Sequence, residues 1–400
     1  MEKVFIAVAK RSAIGSFAGG LSTIAAPALG AAVARDVLSI AGIPASKLDE
    51  VIVGNILPAG CGQGVARQVA IRAGVPIEVP AWGISMACGS GMKAVMIAAA
   101  NVASGMGDLY LAGGTESMSL APYLLPGARS GLRMGNKEIV DHMVYDALTD
   151  AFENIHMGIT AENIAKKLDI SRAEQDTFAI SSQEKAIAAV DSGAFRAEIT
   201  PITVKIRKEE TVFDTDEYPN RKTSLEKLSA LKPAFLPDGT VTAGNASGIN
   251  DGAAFLLVAS ARAVKEYGLT PLAEITSWGQ GGVEPSLMGL GPVPAVRAAL
   301  KMGGLKLADV QRIELNEAFA AQSLGVVKLL CEEHNMDKET LLARTNKNGG
   351  AIALGHPVGA SGARIIVTLL AGMRASGDET GLASLCIGGG MGTAVVLKSC

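Results

Sequence analysis

Two stretches in the first part of the chain each resemble a stretch in the last part, and this internal repeat constrains the fold more than any other feature. The first pair is LDEVIVGNILP (48–58) and LADVQRIELNEA (307–318), and the second is CGSGMKAV (88–95) and GASGARIIV (359–367). The first pair has the composition of buried strands, and the second consists of glycine-rich turns that enter apolar helices. The repeat is weak, but it predicts two similar α/β halves.

Apolar strand-like segments alternate with helical segments through most of the chain. Strands are expected at 4–9, 51–57, 108–114, 253–259 and 272–278, and helices at 24–41, at 62–74 and from the turn after Cys88 to about Gly105. This alternation is typical of a layered α/β protein with a mostly parallel sheet.

A more polar segment interrupts this pattern from about residue 121 to residue 248. It contains a helix expected at 172–190, for which Ser171 and Glu174 form a capping box and Gly193 marks the end. The predicted parts of the chain are a first α/β half at 1–120 with about 249–271, an inserted loop domain at 121–248, and a second α/β half at 272–400.

Charge and hydropathy exclude several classes of partner. The chain carries 36 Lys and Arg against 39 Asp and Glu, so it lacks the basic face that a nucleic acid requires. Two short basic patches, at 205–208 and 221–222, are expected to be solvated surface that could hold a single phosphorylated ligand. No apolar run approaches the length of a membrane span, so no membrane is expected as a partner.

The cysteines and the N-terminus indicate the compartment. Five cysteines without regular spacing predict free thiols in a reducing environment. MEKVFIAVAKR begins with a strand and lacks the features of a targeting segment, so a cytoplasmic location is expected. Cys331 and His334 are three residues apart, but no second pair at ligand spacing accompanies them, and no metal site is expected.

The stretch SMACGSGMKAV (85–95) carries the clearest chemical signal. It places Cys88 at or near a helix N-terminus, where unpaired N–H groups and the helix dipole favour a thiolate, so a lowered pKa is expected. Cysteine is also often only a small buried hydrophobe. The surrounding glycines leave room for a substrate to reach the sulfur, which makes Cys88 a candidate nucleophile.

Three more stretches carry polar side chains at the ends of predicted elements, namely Asn316 in ELNEAF, and His356 in LGHPVG and Cys386 in SLCIGGG, of which the last two are glycine-rich. Each alone could be structural, as a helix cap or a buried side chain. Together with Cys88 they supply a nucleophile, a base and donors for an oxyanion. Hydrolysis needs only one thiol, so the second suggests removal of a proton α to a thioester carbonyl.

Six stretches now identify a family. CGSGMKAV, AGGTESMS, NASGINDGAA, LNEAFA, GGAIALGHPVGASG and LCIGGGMGTAVVL, in this order, closely resemble the thiolases over essentially the whole chain. The resemblance implies a five-layered α-β-α-β-α arrangement of two similar halves with an inserted loop domain that binds coenzyme A (CoA). It also implies an acyltransferase of the short-chain, acetoacetyl-CoA type.

The resemblance implies a role for each candidate residue. Cys88, activated by His356, would take the acetyl group of one acetyl-CoA, and Cys386 would remove a methyl proton from a second, giving acetoacetyl-CoA and CoA. One oxyanion hole would be His356 with a water held by Asn316. The other would be the backbone N–H groups of Cys88 and Gly388.

The resemblance also implies a set of substrate-binding residues. His156 and Met157 would narrow the acyl pocket, and the CoA-binding residues would be Ser247, Ala243, Leu231, Phe235, Ala318 and Phe319, with Arg221 near the nucleotide phosphates. No cofactor is expected because CoA is itself substrate and product, and a homo-oligomer is expected, a tetramer before a dimer.

Other functions remain open on the sequence. A degradative thiolase of broader chain length would use the same residues, and so would a non-catalytic acyl-CoA carrier of the same shape. Cysteine hydrolases and ketoacyl synthases share parts of the constellation, although Cys386 favours a thiolase. A dinucleotide-binding reading of GGGMG (388–392) fails because a strand-like segment follows it and no helix does.

Overall fold

A computed structural model describes residues 2–206 and 209–400. Arg207 and Lys208 of the first basic patch lie outside the described residues. The strands are β1 (Val4–Ser12), β2 (Gly15–Ser16), β3 (Glu50–Gly54), β4 (Ala81–Ile84), β5 (Leu109–Ser117), β6 (Tyr123–Leu124), β7 (Val140–Asp141), β8 (Ile199–Thr200), β9 (Ile202–Ile206), β10 (Glu209–Phe213), β11 (Asn250–Ser260), β12 (Ala273–Gly282), β13 (Arg312–Leu315), β14 (Thr380–Ile387) and β15 (Met391–Ser399).

The α-helices have the bounds given below, and α6 begins and ends with the caps that the sequence predicted. They are α1 (Ala26–Ala41), α2 (Val65–Ala73), α3 (Ser90–Ser104), α4 (His142–Ala147), α5 (Met157–Leu168), α6 (Arg172–Ser192), α7 (Leu225–Ser229), α8 (Ala261–Glu266), α9 (Pro292–Gly303), α10 (Ala320–His334), α11 (Lys338–Arg344), α12 (Ala351–Leu354) and α13 (Val358–Ser376). The capping box of Ser171 and Glu174 is present in α6, and Gly193 ends that helix in the left-handed conformation.

One continuous sheet connects the two halves, with the strand order β13-β14-β15-β12-β1-β11-β5-β3-β4. The first half supplies β1, β3, β4, β5 and β11, and the second supplies β12 to β15. Pairing of β1 with β12 at Phe5–Glu274 and Ile6–Ala273 joins them. The division at 121–248 stays a prediction, but the return of β11 to the first half-sheet fits it.

The expectation of a mostly parallel sheet was wrong. Strand β3 runs parallel to β4 and β5, and β13 runs parallel to β14. Strand β11 is antiparallel to β1 and β5, and β15 is antiparallel to β12 and β14. The reason is that the chain leaves β5 for the insertion and re-enters as β11, while a tight turn at Gly389 and Gly390, both with positive φ, joins β14 to β15.

The hydrophobic cores confirm the five layers. Alternate residues of β11 face two different cores: Leu256 and Val258 contact the central helices, whereas Phe255 and Leu257 face α1 and α2. The outer face of the second half-sheet is covered by α9 and α10. The central layer consists of α3 and α13, which are the two glycine-led helices of the sequence repeat.

The two central helices approach each other backbone to backbone. A Cβ atom on Gly362 would lie 2.5 Å from the backbone nitrogen of Met92, and one on Gly91 would lie 2.9 Å from the carbonyl oxygen of Gly359. Only glycine permits these contacts. They bring the N-terminal ends of both helices together, and with them Cys88 and His356.

The expectation that no apolar run approaches the length of a membrane span was wrong for α13. It is the one helix among the described residues that is long and apolar enough to cross a membrane, and 83% of its 18-residue apolar window is buried inside the protein. A buried central helix of a layered fold passes the same test of length and composition.

Candidate active site

A cavity of about 520 Å³ opens between the two halves and the insertion. Its walls are mostly apolar, and both Cys88 and His356 line it. The lining residues are Ser16, Phe17, Cys88, Met118, Ala147, Leu148, His156, Met157, Tyr218, Ala234, Phe235, Ala243, Ala246, Ser247, Gly248, Ile249, Met288, Ala318, Phe319, His356 and Val358. The structure therefore brings most of the sequence-predicted residues to one place.

Cys88 lies at the N-terminal end of α3, as the sequence predicted. Ala87 before it has a φ of +40°, in the left-handed region that alanine rarely adopts. Ser90 fixes this turn, because its hydroxyl donates to the carbonyl oxygen of Ala87 at 2.8 Å and accepts from the N–H of Met86 at 2.7 Å. The strained turn holds the Cys88 side chain at the cavity wall.

The expectation of a lowered pKa for Cys88 was wrong for the unliganded protein. Burial raises the pKa of the Cys88 thiol to about 11, although the N–H groups of Gly388 and of Cys88 itself donate to the sulfur and oppose this shift. The side chain is half-buried and lines the cavity. Desolvation outweighs the helix N-terminus here, so the resting group is a thiol.

This ionisation state has a measurable consequence. Because the thiolate is the nucleophile, alkylation of Cys88 by iodoacetamide should accelerate about tenfold per pH unit between pH 7 and 9. Mass spectrometry of the labelled peptide gives the rate, with exposed Cys400 as an internal reference. A rate that does not change with pH would mean that Cys88 already rests as a thiolate paired with an imidazolium.

Two further predicted residues lie beside Cys88. Cys386 is near the end of β14, and Gly388 is in the turn that follows this strand. A Cβ atom on Gly388 would lie 3.6 Å from the Met157 sulfur and 3.7 Å from the Ala87 Cβ. Gly388 therefore lies between Met157 and the turn that holds Cys88. Cys386 is fully buried, and burial together with the neighbouring Cys88 raises its pKa well above the usual thiol range. A deprotonated Cys386 would therefore be a strong base.

The hydrogen bonds of His356 indicate its tautomer. Its Nδ1 lies 2.6 Å from the hydroxyl oxygen of Ser361, and that hydroxyl donates its single proton to the carbonyl oxygen of Pro357 at 2.9 Å. Nδ1 must then carry the imidazole proton and donate it to Ser361. Nε2 has no hydrogen-bond partner among the described residues and is free to accept a proton.

Burial and the charge of Arg364 lower the pKa of His356 to about 3, so this imidazole is neutral near pH 7. Asn250 holds the same loop by accepting from the His356 backbone N–H at 2.9 Å. Ser361 and Asn250 lie in two of the family motifs, but neither residue was predicted to have a role. Each acts through a contact with a residue distant in the chain or across a helix turn, which the motif alone does not display.

Asn316 is fully buried at the end of β13 and does not line the cavity directly. Its Nδ2 has no hydrogen-bond partner among the described residues, and its Oδ1 accepts from Nη2 of Arg364 at 3.4 Å. Buried amide donors are rarely left without a partner. The Asn316 amide is therefore available to a group outside the protein chain.

The acyl end of the cavity is walled by aromatic rings. The His156 and Phe235 rings stack with centroids 4.7 Å apart, and Phe235 contacts Phe319 edge to face at 6.3 Å. His156 caps α5 through its Nδ1, which accepts from the N–H of Gly158 at 3.0 Å. Met157 is the next residue, and it is buried beside Gly388. His156, Met157 and the two phenylalanines line the same cavity as Cys88.

The other predicted binding residues continue away from the sulfur. Ser247 and Ala318 line the cavity and join through a backbone bond of 2.9 Å from the Ser247 N–H to the Ala318 carbonyl oxygen. Ala243 is shared with an adjoining cavity of about 560 Å³, which Leu231 also lines. The two cavities adjoin, because they share the lining residues Ser16, Tyr218 and Ala243.

The structure does not bring Arg221 to these cavities. Its guanidinium forms an exposed ion pair with Asp191 and lines neither cavity. The cations that line the adjoining cavity are Lys222 and Lys227. The basic segment is visible in the sequence, but which of its side chains lines the cavity depends on the fold.

All five cysteines are unpaired. Among the described residues there is no group of three or more His, Cys, Asp or Glu side chains arranged to hold a metal ion.

Comparisons with known proteins agree with this geometry. The chain matches the families described as "Thiolase, N-terminal domain" over residues 4–262 and "Thiolase, C-terminal domain" over residues 269–399. It is 54% identical over 398 residues to an acetyl-CoA acetyltransferase of Pseudomonas aeruginosa, which covers 99% of both chains.

Solved structures show the same similarity in three dimensions. The acetyl-CoA acetyltransferase from Syntrophomonas wolfei superposes over 100% of both chains with a TM-score of 0.97 at 42% identity. The human mitochondrial 3-ketoacyl-CoA thiolase superposes over 100% of this chain and 99% of the other, with a TM-score of 0.94 at 42% identity.

Proposed function

Because the chain belongs to the thiolase family and is an acyltransferase, we propose that it catalyses the reversible condensation of two acetyl-CoA molecules to acetoacetyl-CoA and CoA. The observation that carries the proposal is that the Cys88 thiol and the His356 imidazole line one cavity, with the Cys386 thiol buried beside Cys88. The Asn316 Nδ2 group, which has no hydrogen-bond partner among the described residues, lies in the adjoining core. The relatives named acetyl-CoA acetyltransferase support the acetyl substrate.

The first half-reaction transfers an acetyl group to Cys88. Nε2 of His356 takes the thiol proton as the sulfur attacks the thioester carbonyl. The tetrahedral oxyanion receives N–H donation from Cys88 and Gly388, the two groups that already donate to the Cys88 sulfur. The CoA thiolate leaves and takes the proton of Cys386, so that a Cys386 thiolate and a His356 imidazolium remain beside the acetyl group.

The second half-reaction forms the carbon–carbon bond. The Cys386 thiolate removes a methyl proton from a second acetyl-CoA, and His356 Nε2–H together with a water held by Asn316 stabilises the enolate oxygen. The enolate carbon attacks the acetyl group and expels the Cys88 thiolate. Cys88 recovers its proton from His356, so the enzyme returns to its starting state and all protons balance.

The reaction requires no cofactor, because CoA is substrate and product and the thiols and the imidazole carry every proton. The free thiols need a reducing compartment, which agrees with the cytoplasmic location expected from the sequence. The two adjoining cavities fit the pantetheine arm, and Lys222 and Lys227 supply positive charge for the nucleotide phosphates.

A four-carbon substrate is favoured by the closed acyl end at His156, Met157 and Phe235. The alternative is a degradative 3-ketoacyl-CoA thiolase of broader chain length, and the human structure of that name is as similar in sequence as the bacterial one. The test is thiolysis of acetoacetyl-CoA and of a longer 3-ketoacyl-CoA by the purified protein. Turnover confined to the four-carbon substrate supports the proposal, equal turnover of the longer one favours the degradative class, and no turnover of either leaves an acyl-CoA carrier.

Met157 should determine part of this selectivity. Met157→Ala removes side-chain volume beside the sulfur, and a pocket distinguishes substrates by roughly 10- to 200-fold per methylene. We expect kcat/KM for a six-carbon 3-ketoacyl-CoA to rise at least about tenfold relative to acetoacetyl-CoA. Met373→Ala, a buried methionine outside the cavity, is the matched control and should leave the ratio unchanged. An unchanged ratio in Met157→Ala would place the selectivity elsewhere.

We propose a homotetramer for the assembled enzyme. Apolar side chains of the insertion are exposed in the single chain, among them Tyr123 at 64%, Met134 at 99% and Phe152 at 74%. The sheet also ends in the short edge strand β4, whose backbone can pair further. Light scattering should give four times the 40.9 kDa chain mass, and a monomeric mass would contradict the proposal.

A further inference from the structure

Arg364 is a buried guanidinium in the core of the protein, in the central helix α13, with only 2% of its surface exposed. Its one hydrogen bond among the described residues runs from Nη2 to Asn316 Oδ1 at 3.4 Å. The Nε and Nη1 groups have no partner there. A buried arginine without a bidentate ion pair adds little stability, so its presence calls for another explanation.

The charges around Arg364 are mostly committed to each other. Arg11 is bonded to Glu198 at 2.5 Å and to Asp216 at 2.7 and 2.8 Å. Arg312 is bonded to Asp378 at 2.7 Å, away from Asn316.

Glu314 is the remaining carboxyl group. It attracts Arg364 electrostatically, but its Oε1 has no hydrogen-bond partner among the described residues. The one directional contact of Arg364 is therefore with the Asn316 amide.

That contact fixes which end of the amide faces the reacting groups. A guanidinium has five donors and no acceptor, so only the oxygen of an amide can face it. With Oδ1 held by Arg364, the NH₂ group is the end left to hold the water that donates to the enolate oxygen. The reversed amide would present an acceptor and compete with the enolate for the protons of that water.

We propose that Arg364 is a positioning residue that fixes the Asn316 amide with its NH₂ group toward the water that donates to the enolate, and so supports condensation but not acetylation. The inference rests on the proposed function, because it assigns the two half-reactions different needs. Acetylation uses the N–H groups of Cys88 and Gly388 and does not need Asn316. The enolate step does need it.

The same charge acts on His356. Arg364 lies near enough to lower the pKa of that imidazole, together with burial. The other ionisable groups facing Arg364 are Glu314, Glu198, Asp216 and Arg11. Removing the guanidinium while keeping these carboxyl groups should raise the pKa of His356 and move the acid limb of the pH profile upward.

The test is a double-mutant cycle between Arg364 and Asn316. Arg364→Met should lower kcat for condensation by roughly 10- to 100-fold, because misplaced donors cost about that much, with little change in KM. The rate of acetyl-Cys88 formation should stay within about threefold of the native protein. In an Asn316→Ala background, Arg364→Met should cause no further loss of condensation. Arg364→Lys keeps a charged donor and should recover part of the activity.

Matched variants separate positioning from loss of structure. Arg312→Gln removes a second buried arginine near Glu314, and Lys347 remains near Asp378 to replace it. It should leave the ratio of condensation to acetylation unchanged. If Arg364→Met is unstable because Glu314 loses its counter-charge, the Arg364→Met and Glu314→Gln double variant removes both charges and should show the same selective loss.

Two results would overturn the inference. One is equal loss of acetylation and condensation in Arg364→Met, and the other is a full additional loss in the Asn316→Ala background. Failure of the proposed function is a different outcome, since the native protein itself would then not turn over acetoacetyl-CoA.

Discussion

Cys386→Ala should still form acetyl-Cys88 but should condense acetyl-CoA roughly 10³-fold more slowly or worse, because it loses the base for the methyl proton. Burial makes the Cys386 thiolate a strong base. The imidazole of His356 is too weakly basic to replace it, because burial lowers its pKa. Acetylation should slow by no more than about 100-fold, since the CoA thiolate can leave without receiving a proton from Cys386.

Mass spectrometry after mixing with acetyl-CoA measures the acetyl group on Cys88, and a coupled assay measures condensation. Cys61→Ala, which changes a thiol outside the cavity, should behave as the native protein. If Cys386→Ala loses both half-reactions to the same extent, the division of labour between the two thiols is wrong.

Cys88→Ala should abolish acetyl-enzyme formation and lower turnover by up to about 10⁶-fold, as expected for loss of a covalent nucleophile. The cavity walls do not depend on the sulfur, so CoA thioesters should still bind. Binding then separates from chemistry in this variant, whereas a folding defect would remove both.

Exchange of labelled CoA into acetyl-CoA reports the acetyl-enzyme directly, and calorimetry reports binding. We expect no exchange and a dissociation constant within about threefold of the native value. Residual exchange at the native rate would move the acyl intermediate to another residue, and Cys386 would be the first to examine.

Much of the fold could be predicted because its signals are local. The capping box of Ser171 and Glu174, the helix that starts after Cys88 and the glycine that ends it depend on backbone groups a few residues apart. The repeated glycine-rich turn before α3 and α13 also predicted the two central helices. The direction of β11 was mispredicted because it depends on where the chain returns after the insertion, which no local signal records. The antiparallel pairing of β14 and β15 had a local signal in the glycines at 388–390, which the expectation of a mostly parallel sheet disregarded.

The sequence alone predicted the candidate reacting groups, because Cys88, His356 and Cys386 lie in glycine-rich turns and Asn316 follows a predicted strand. The tertiary structure decided their states. It keeps the Cys88 thiol protonated, leaves Nε2 of His356 without a hydrogen-bond partner among the described residues and places Arg364 against the oxygen of the Asn316 amide. Ionisation and amide direction depend on desolvation and on partners far apart in the chain, and these exist only once the two halves have packed together.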